Sequence, residues 1–153
     1  MLVRPATPDD ADRLPALYTA ARQAAVPSIP PPVHTAQEDR AFYAGLLAGE
    51  AEVWLAEPLD AAADPRPLAL LVLEEDWVHS LYVRPGRTGH GLGALLLDLA
   101  KARRPHGFSL WVFESNLGAR RFYQRHGLVE VLRTDGRDNE EHAPDLQLTW
   151  TPS

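Results

Sequence analysis

Residues 83–97 read VRPGRTGHGLGALLL, with Gly89, Gly91 and Gly93 on alternate positions just ahead of a leucine-rich stretch. Inside a helix each glycine costs about 0.5–1 kcal/mol relative to alanine, so three of them at a helix start need a compensating purpose. Main-chain N–H groups are unpaired at such a start, and the helix macrodipole adds partial positive charge there. Glycine lets an anion come close to those groups because no Cβ intervenes. A pyrophosphate is the natural guest. A tight strand-to-helix turn accounts for one or two of the glycines and fits three on alternate positions poorly.

Two classes of pyrophosphate ligand use this arrangement. For a dinucleotide, Gly89-x-Gly91-x-x-Ala94 satisfies the looser fingerprint G-x-G-x-x-G/A, and Glu114 stands about 20 residues on, where a ribose-binding acid would sit. That fingerprint normally opens a series of β-α-β units, whereas an antiparallel meander precedes the glycines here. The other class is acyl-coenzyme A.

The elements that must hold the loop follow from periodicity. Leu2–Arg4 reads as an edge strand, and Thr7-Pro8-Asp9-Asp10 as a helix start with Pro15 calling for a kink or a later beginning. Val26–Val33 (VPSIPPPV) is an extended, stiff loop. Thr35-x-x-Glu38 is a capping box opening a second helix that puts Phe42, Leu46 and Leu47 on one side and stops at Gly49. Glu52–Glu57, Leu68–Glu74 and Trp77–Val83 are strands of a meander, the first two joined by a mobile connector, Pro58–Pro67. Leu92, Leu95, Leu96 and Leu99 form the apolar stripe of the helix after the glycines. A strand (Phe108–Phe113), a helix (Asn116–His126, stopped by Gly127), a strand (Leu128–Leu132), a polar loop (Asp135–Pro144) and a last strand (Asp145–Thr151) complete the chain. The order β-α-α-β-β-β-α-β-α-β-β predicts an α+β fold in one domain spanning 1–153, with a mixed sheet of about seven strands and about four helices.

Composition narrows the function. The 153 residues are 45% apolar and 24% charged, with a formal net charge of −6, which sets the chain against nucleic acid as a main partner. Arg103, Arg104, Arg120, Arg121 and Arg125 are the local exception, able to face a small anion or simply to be solvated. The absence of cysteine excludes disulfides, thiolate zinc sites and a cysteine nucleophile, and the six histidines show no metal-ligand spacing. MLVRPATPDD has no apolar leader core and no stretch is long enough to span a bilayer, so the expectation is a cytoplasmic protein without membrane contact.

The glycine loop resembles the pyrophosphate loop of the GCN5-related N-acetyltransferases, the GNAT superfamily, whose pattern is Q/R-x-x-G-x-G/A. Gly91 and Gly93 match the two glycines, while Thr88 stands at the Q/R position and departs from it. Asn116-Leu-Gly-Ala-Arg-Arg-Phe-Tyr-Gln-Arg-His-Gly-Leu is similar to the second motif, N-x-x-A-x-x-F-Y-x-x-x-G-F, with Leu128 replacing the last Phe. The element order is also that of the superfamily, so the resemblance covers nearly the whole chain. It implies a GNAT-like fold with acetyl-CoA, as co-substrate, wedged between splayed middle strands Trp77–Val83 and Phe108–Phe113. Main-chain groups of Leu81, Tyr82 and Val83 would then pair with the pantetheine arm. Amides of Thr88, Gly89, His90, Gly91, Leu92, Gly93 and Ala94 would hold the pyrophosphate, and Asn116 would contact the coenzyme arm beside its role as an N-cap.

The reaction so implied is direct attack of an amine on the thioester, with no metal. Tyr123 matches the tyrosine that serves as general acid near the sulfur, and Phe122 is core. His79 stands where relatives place a base; by strand alternation it lies on the face opposite Ser80 and Tyr82. Glu74 and Glu75 are alternatives to it. His90 reads as a phosphate neighbour. The acceptor pocket is expected to include Val26–Thr35, Asp138–Asp145 and Trp111, with His34 and Tyr43 as further candidates. Asp138, Glu140 and Glu141 provide a negative field that suits a cationic amine, or form an ordinary acidic loop. The acceptor is a small-molecule or peptide amine, and a homodimer is left open. A dinucleotide-binding oxidoreductase and a non-catalytic acyl-CoA sensor are the competing readings.

Overall fold

In the computed structural model, which describes residues 1–60, 66–89 and 91–153, the chain runs β1 (Leu2–Pro5), a 3₁₀ turn (Pro8–Asp10), α1 (Leu14–Ala25), α2 (Ala36–Ala48), β2 (Glu52–Glu57), β3 (Ala69–Glu74), β4 (Trp77–Val83), α3 (Leu92–Arg103), β5 (Phe108–Phe113), α4 (Leu117–Arg125), β6 (Val129–Thr134) and β7 (Asp145–Trp150). The seven strands form one mixed sheet in the order β1-β2-β3-β4-β5-β7-β6. This is the α+β architecture expected. His90 and residues 61–65 of the Pro58–Pro67 connector lie outside the described residues.

β3 explains why the sheet has helices on both sides. Leu70 and Val72 join Leu14, Leu17, Tyr43 and Leu46 from α1 and α2, while Leu71 and Leu73 join Leu96, Leu97 and Ala100 from α3. A strand covered on both faces reads as a continuous apolar run, as ALLVLE does. The β4–β5 pair is the parallel one, and its register holds a single residue pair, Trp77 opposite Ser109. The Ser109 amide donates to the Asp76 carbonyl at 2.9 Å, so the strands touch at their start. The other five neighbouring pairs are antiparallel. A dinucleotide-binding wound sheet needs successive parallel strands, so that fold is excluded.

Several local expectations shift. A capping box between Thr7 and Asp10 closes only a 3₁₀ turn, and α1 starts afresh at Leu14. Pro15 then falls in a first turn, where its missing N–H costs no helical hydrogen bond. Thr35 and Glu38 form the expected reciprocal cap, but α2 buries Tyr43 and Leu46 while Phe42 remains 45% exposed. In α3 the buried stripe is Leu92, Leu96, Leu97 and Ala100, with Leu95 turned outward. Arg103 and Arg104 both pair with Glu52 at 2.9 Å, which binds the end of α3 to β2 rather than to a ligand.

A partly buried polar cluster ties β1, the 3₁₀ turn and β2 together. Arg4 reaches Asp10 at 3.0 Å and Glu57 at 2.9 Å, and Arg13 reaches the same two acids at 2.9 and 3.1 Å.

Candidate active site

The register of β3 against β4 skips one residue. Val72 faces Ser80 and Leu73 faces Val78, leaving His79 as the extra residue of a β-bulge. Val78 therefore packs under α3, while Ser80, two residues on, is buried on the α1–α2 face opposite Val72. In a regular strand both would share a face. The expectation that His79 faces away from Ser80 and Tyr82 is thus wrong: its Nδ1 lies 2.8 Å from Ser80 Oγ, and all three residues line one cavity. His79 keeps solvent contact on the cavity side. Phe42 stands beside it, with ring centroids 5.2 Å apart. Burial of the imidazole holds its pKa below the ordinary 6.5, against the opposing pull of Glu74. Glu74 and Glu75 are exposed at the β3–β4 turn.

Beyond the diverging ends of β4 and β5 comes the N-terminus of α3. Gly89 and Gly91 have φ of 80° and 82°, a left-handed backbone that side chains with a Cβ rarely adopt. A Cβ at either position would meet nothing within 4 Å, so the space in front of the loop is open. Gly91 is the N-cap, and no side chain caps the helix. The first amides of α3 at Leu92, Gly93 and Ala94 are thus donors without an intrahelical acceptor. These residues fit a pyrophosphate. Gly93 has a second purpose that the glycine count missed: a Cβ there would stand 3.2 Å from the Phe122 ring, so the glycine lets α4 pack against α3. Gly91→Ala is expected to cost about 1–2 kcal/mol through left-handed strain, read as a drop of several degrees in melting temperature; an unchanged melting temperature would contradict this backbone conformation.

On α4, Asn116 Oδ1 accepts from the Ala119 amide at 3.3 Å, the N-cap role expected of it. Ala119, Phe122 and Tyr123 pack against the α3-side core. Burial pushes the Tyr123 hydroxyl well above its ordinary pKa of 10, and the Tyr82 phenol adds to the shift. Tyr123 therefore holds its proton at neutral pH. Arg120 donates to the Glu114 carbonyl at 2.8 Å, a structural bond.

The cavity, of about 1050 Å³, opens between α1, α2, the splayed strands and the loop after β6. His34, Tyr43, Trp111, Asp138, Glu140, Glu141 and Asp145 line it, whereas His34 alone represents Val26–Thr35. Trp111 stacks on Trp77 at 6.0 Å. Two contacts fasten the loop across the opening: His34 Nε2 to Glu140 at 2.6 Å, and Arg22 to Glu141 at 3.8 Å. Hydrogen bonds that the protonated ring donates to Glu140 and Glu38 raise the His34 pKa. Glu38, Asp39 and Asp135 also line the space, so acids outnumber the basic residues Arg22, His34 and His79. The sequence does not mark Asp39 or Ser80 as site residues. An acid in the first turn of a capped helix looks like an ordinary partner of the helix dipole, and nothing in the composition of WVHSLYV marks a bulge.

An uncapped, glycine-built helix start thus lies beside two parted strands and an acidic cavity roofed by the loop after β6. The chain belongs to the acetyltransferase (GNAT) family, whose model matches residues 15–128. It is similar in fold to the apo form of YjaB from Escherichia coli (21% identity over 99% of this chain and 98% of that one, TM-score 0.75). It is likewise similar to a GCN5-related N-acetyltransferase from Rhodopseudomonas palustris (22% identity, 99% and 95% covered, TM-score 0.75). A third likeness is to yncA from Salmonella typhimurium, solved with its cofactor acetyl-CoA (16% identity, 99% and 93% covered, TM-score 0.73). No curated protein matches the sequence. Among the described residues no helix is long and apolar enough to cross a membrane, and no group of three or more acids and histidines is arranged to hold a metal ion.

Proposed function

We propose that residues 1–153 act as one domain that moves an acetyl group from acetyl-CoA to a primary amine, by direct attack within a ternary complex. The observation that carries this reading is the uncapped, glycine-built start of α3 beside strands that part after a single registered pair. Amides of Thr88, Gly89, Gly91, Leu92, Gly93 and Ala94 would hold the pyrophosphate. The β5-facing edge of Leu81, Tyr82 and Val83, unregistered with β5, offers main-chain donors and acceptors to the pantetheine arm. One of those donors stabilises the negative charge that builds on the thioester oxygen. Asn116, which caps α4, would contact the coenzyme arm.

When bound, acetyl-CoA supplies an acyl thioester as the electrophile. His79 is the proton acceptor. Its lowered pKa keeps it neutral near pH 7, and with Nδ1–H donating to Ser80 Oγ the Nε2 lone pair is available. It takes the proton of the attacking amine, directly or through a water, as the N–C bond forms. Tyr123 gives its proton to the sulfur as the C–S bond breaks. The acidic cavity receives the acceptor, a small-molecule or peptide amine.

Thermal unfolding with acetyl-CoA and with NAD, followed by thiol release across a panel of amines, tests this. Acetyl-CoA should raise the melting temperature, NAD should leave it unchanged, and at least one amine should release thiol. Stabilisation by NAD alone would reject the reading. Stabilisation by acetyl-CoA with no thiol released from any amine would mark a non-catalytic acyl-CoA sensor.

A further inference from the structure

Asp39 sits in the first turn of α2, is only 7% exposed, and faces the cavity. Among the described residues nothing donates a hydrogen bond to its carboxylate and no cation lies within ion-pair distance, yet neither oxygen is sealed from the cavity. Most neighbouring acids are engaged. Glu38 is held by Thr35 and His34, Glu140 by His34, and Asp145 by the Thr134 hydroxyl. A buried, unpaired carboxylate is costly, so burial raises the Asp39 pKa and a cation set beside it is welcome.

The same cavity carries an aromatic wall of Tyr18, Tyr43 and Tyr82. Tyr18 meets Tyr43 edge-on at 5.9 Å and Tyr82 at 5.3 Å, and the charge of Asp39 bears on all three phenols. Aromatic rings with a carboxylate suit an ammonium group. Arg22 also lines the space, with its guanidinium 5.7 Å from the Tyr18 ring centroid, and would favour an anion, but its donors are turned to the Tyr18 and Tyr82 hydroxyls, the Pro30 carbonyl and Glu141. Its one unsatisfied nitrogen, Nε, is sealed from the cavity. Phe42, which packs on His79, lies one helical turn along α2 from Asp39.

Resting on the acetyltransferase reading above, we propose that the acceptor carries a second positive charge: Asp39, walled by Tyr18, Tyr43 and Tyr82, holds one ammonium of an aliphatic diamine or polyamine while another nitrogen reacts beside His79.

Three five-carbon amines test this: 1,5-diaminopentane, 1-aminopentane and 5-aminopentanoate. Each is followed by thiol release from acetyl-CoA and by melting temperature, for the wild type and Asp39→Asn. Losing a charged hydrogen bond predicts that kcat/KM for the diamine exceeds that for the monoamine by about tenfold or more, falling to about twofold in the variant. Equal turnover of the diamine and monoamine by the wild type would overturn the second-charge subsite and leave acetyl transfer standing. Preference for 5-aminopentanoate would overturn it in favour of an anion at Arg22. Stabilisation by the diamine in the wild type but not in Asp39→Asn, with no thiol released, would uphold the subsite and reject the transferase reading. Neither stabilisation nor turnover with any of the three would overturn the subsite, and stabilisation by acetyl-CoA would still report separately on the coenzyme site.

Discussion

Tyr123→Phe is expected to lower kcat by about tenfold to a hundredfold, with KM for acetyl-CoA changed by less than about twofold. The substitution removes one hydroxyl and leaves the ring that packs beside Phe122, 5.2 Å away, so the α4–core contact survives. What disappears is the proton that burial keeps on the phenol. A group that acts only as the thiolate departs affects the transition state and not the ground state, which separates kcat from KM. Steady-state kinetics with the best acceptor would show the split. Unchanged turnover would remove Tyr123 as the acid, whereas a matched rise in KM would assign it to binding.

Asp10→Ala is expected to cost about 2–4 kcal/mol of stability, below the full cost of breaking a buried ion pair because Arg4 and Arg13 keep Glu57. Asp10 is 3% exposed and accepts from Arg4, from Arg13 and from the Thr7 amide. Alanine therefore breaks two ion pairs and the capping box together. Burial by itself would raise the carboxyl, but hydrogen bonds from Arg4, Thr7 and Arg13 prevail and hold it at about 2, against 3.8 ordinarily. A carboxyl depressed by folding contributes fully above its unfolded value and loses that contribution as pH falls through its folded one. The gap between wild type and variant should thus be widest at neutral pH and narrow from 3.8 down to about 2. Urea unfolding across that range measures it; a gap independent of pH would mean that the charge of Asp10 contributes nothing.

Much of this architecture could be read directly from residue order. β2, β4 and β5 fall on their expected limits because turn residues bound each apolar run. Gly89, Gly91, Asn116 and Tyr123 fall on the elements expected of them, since loop and cap chemistry is local. Relations between distant residues were not legible. Leucines at helical spacing include Leu95, yet the sheet decides which arc of α3 is covered, and it leaves Leu95 outside while adding Leu97 and Ala100. The reach of Gly93 to Phe122 depends on how α3 and α4 cross. That β7 inserts between β5 and β6 has no counterpart in chain order. Asp39 draws its significance from rings on α1, α2 and β4, and from the absence of a partner among the described residues, which only three dimensions reveal.

The unmatched His79 works as a frame shift within a single ribbon. Upstream of it, Val78 belongs to the dry layer beneath α3; downstream, Ser80 and Tyr82 have crossed to the wet chamber under α1 and α2, and Leu81 and Val83 have taken over the dry side. One surplus peptide unit thereby exchanges inside for outside along half a strand, so polar chemistry and oily packing share one backbone without a separate loop to carry the former.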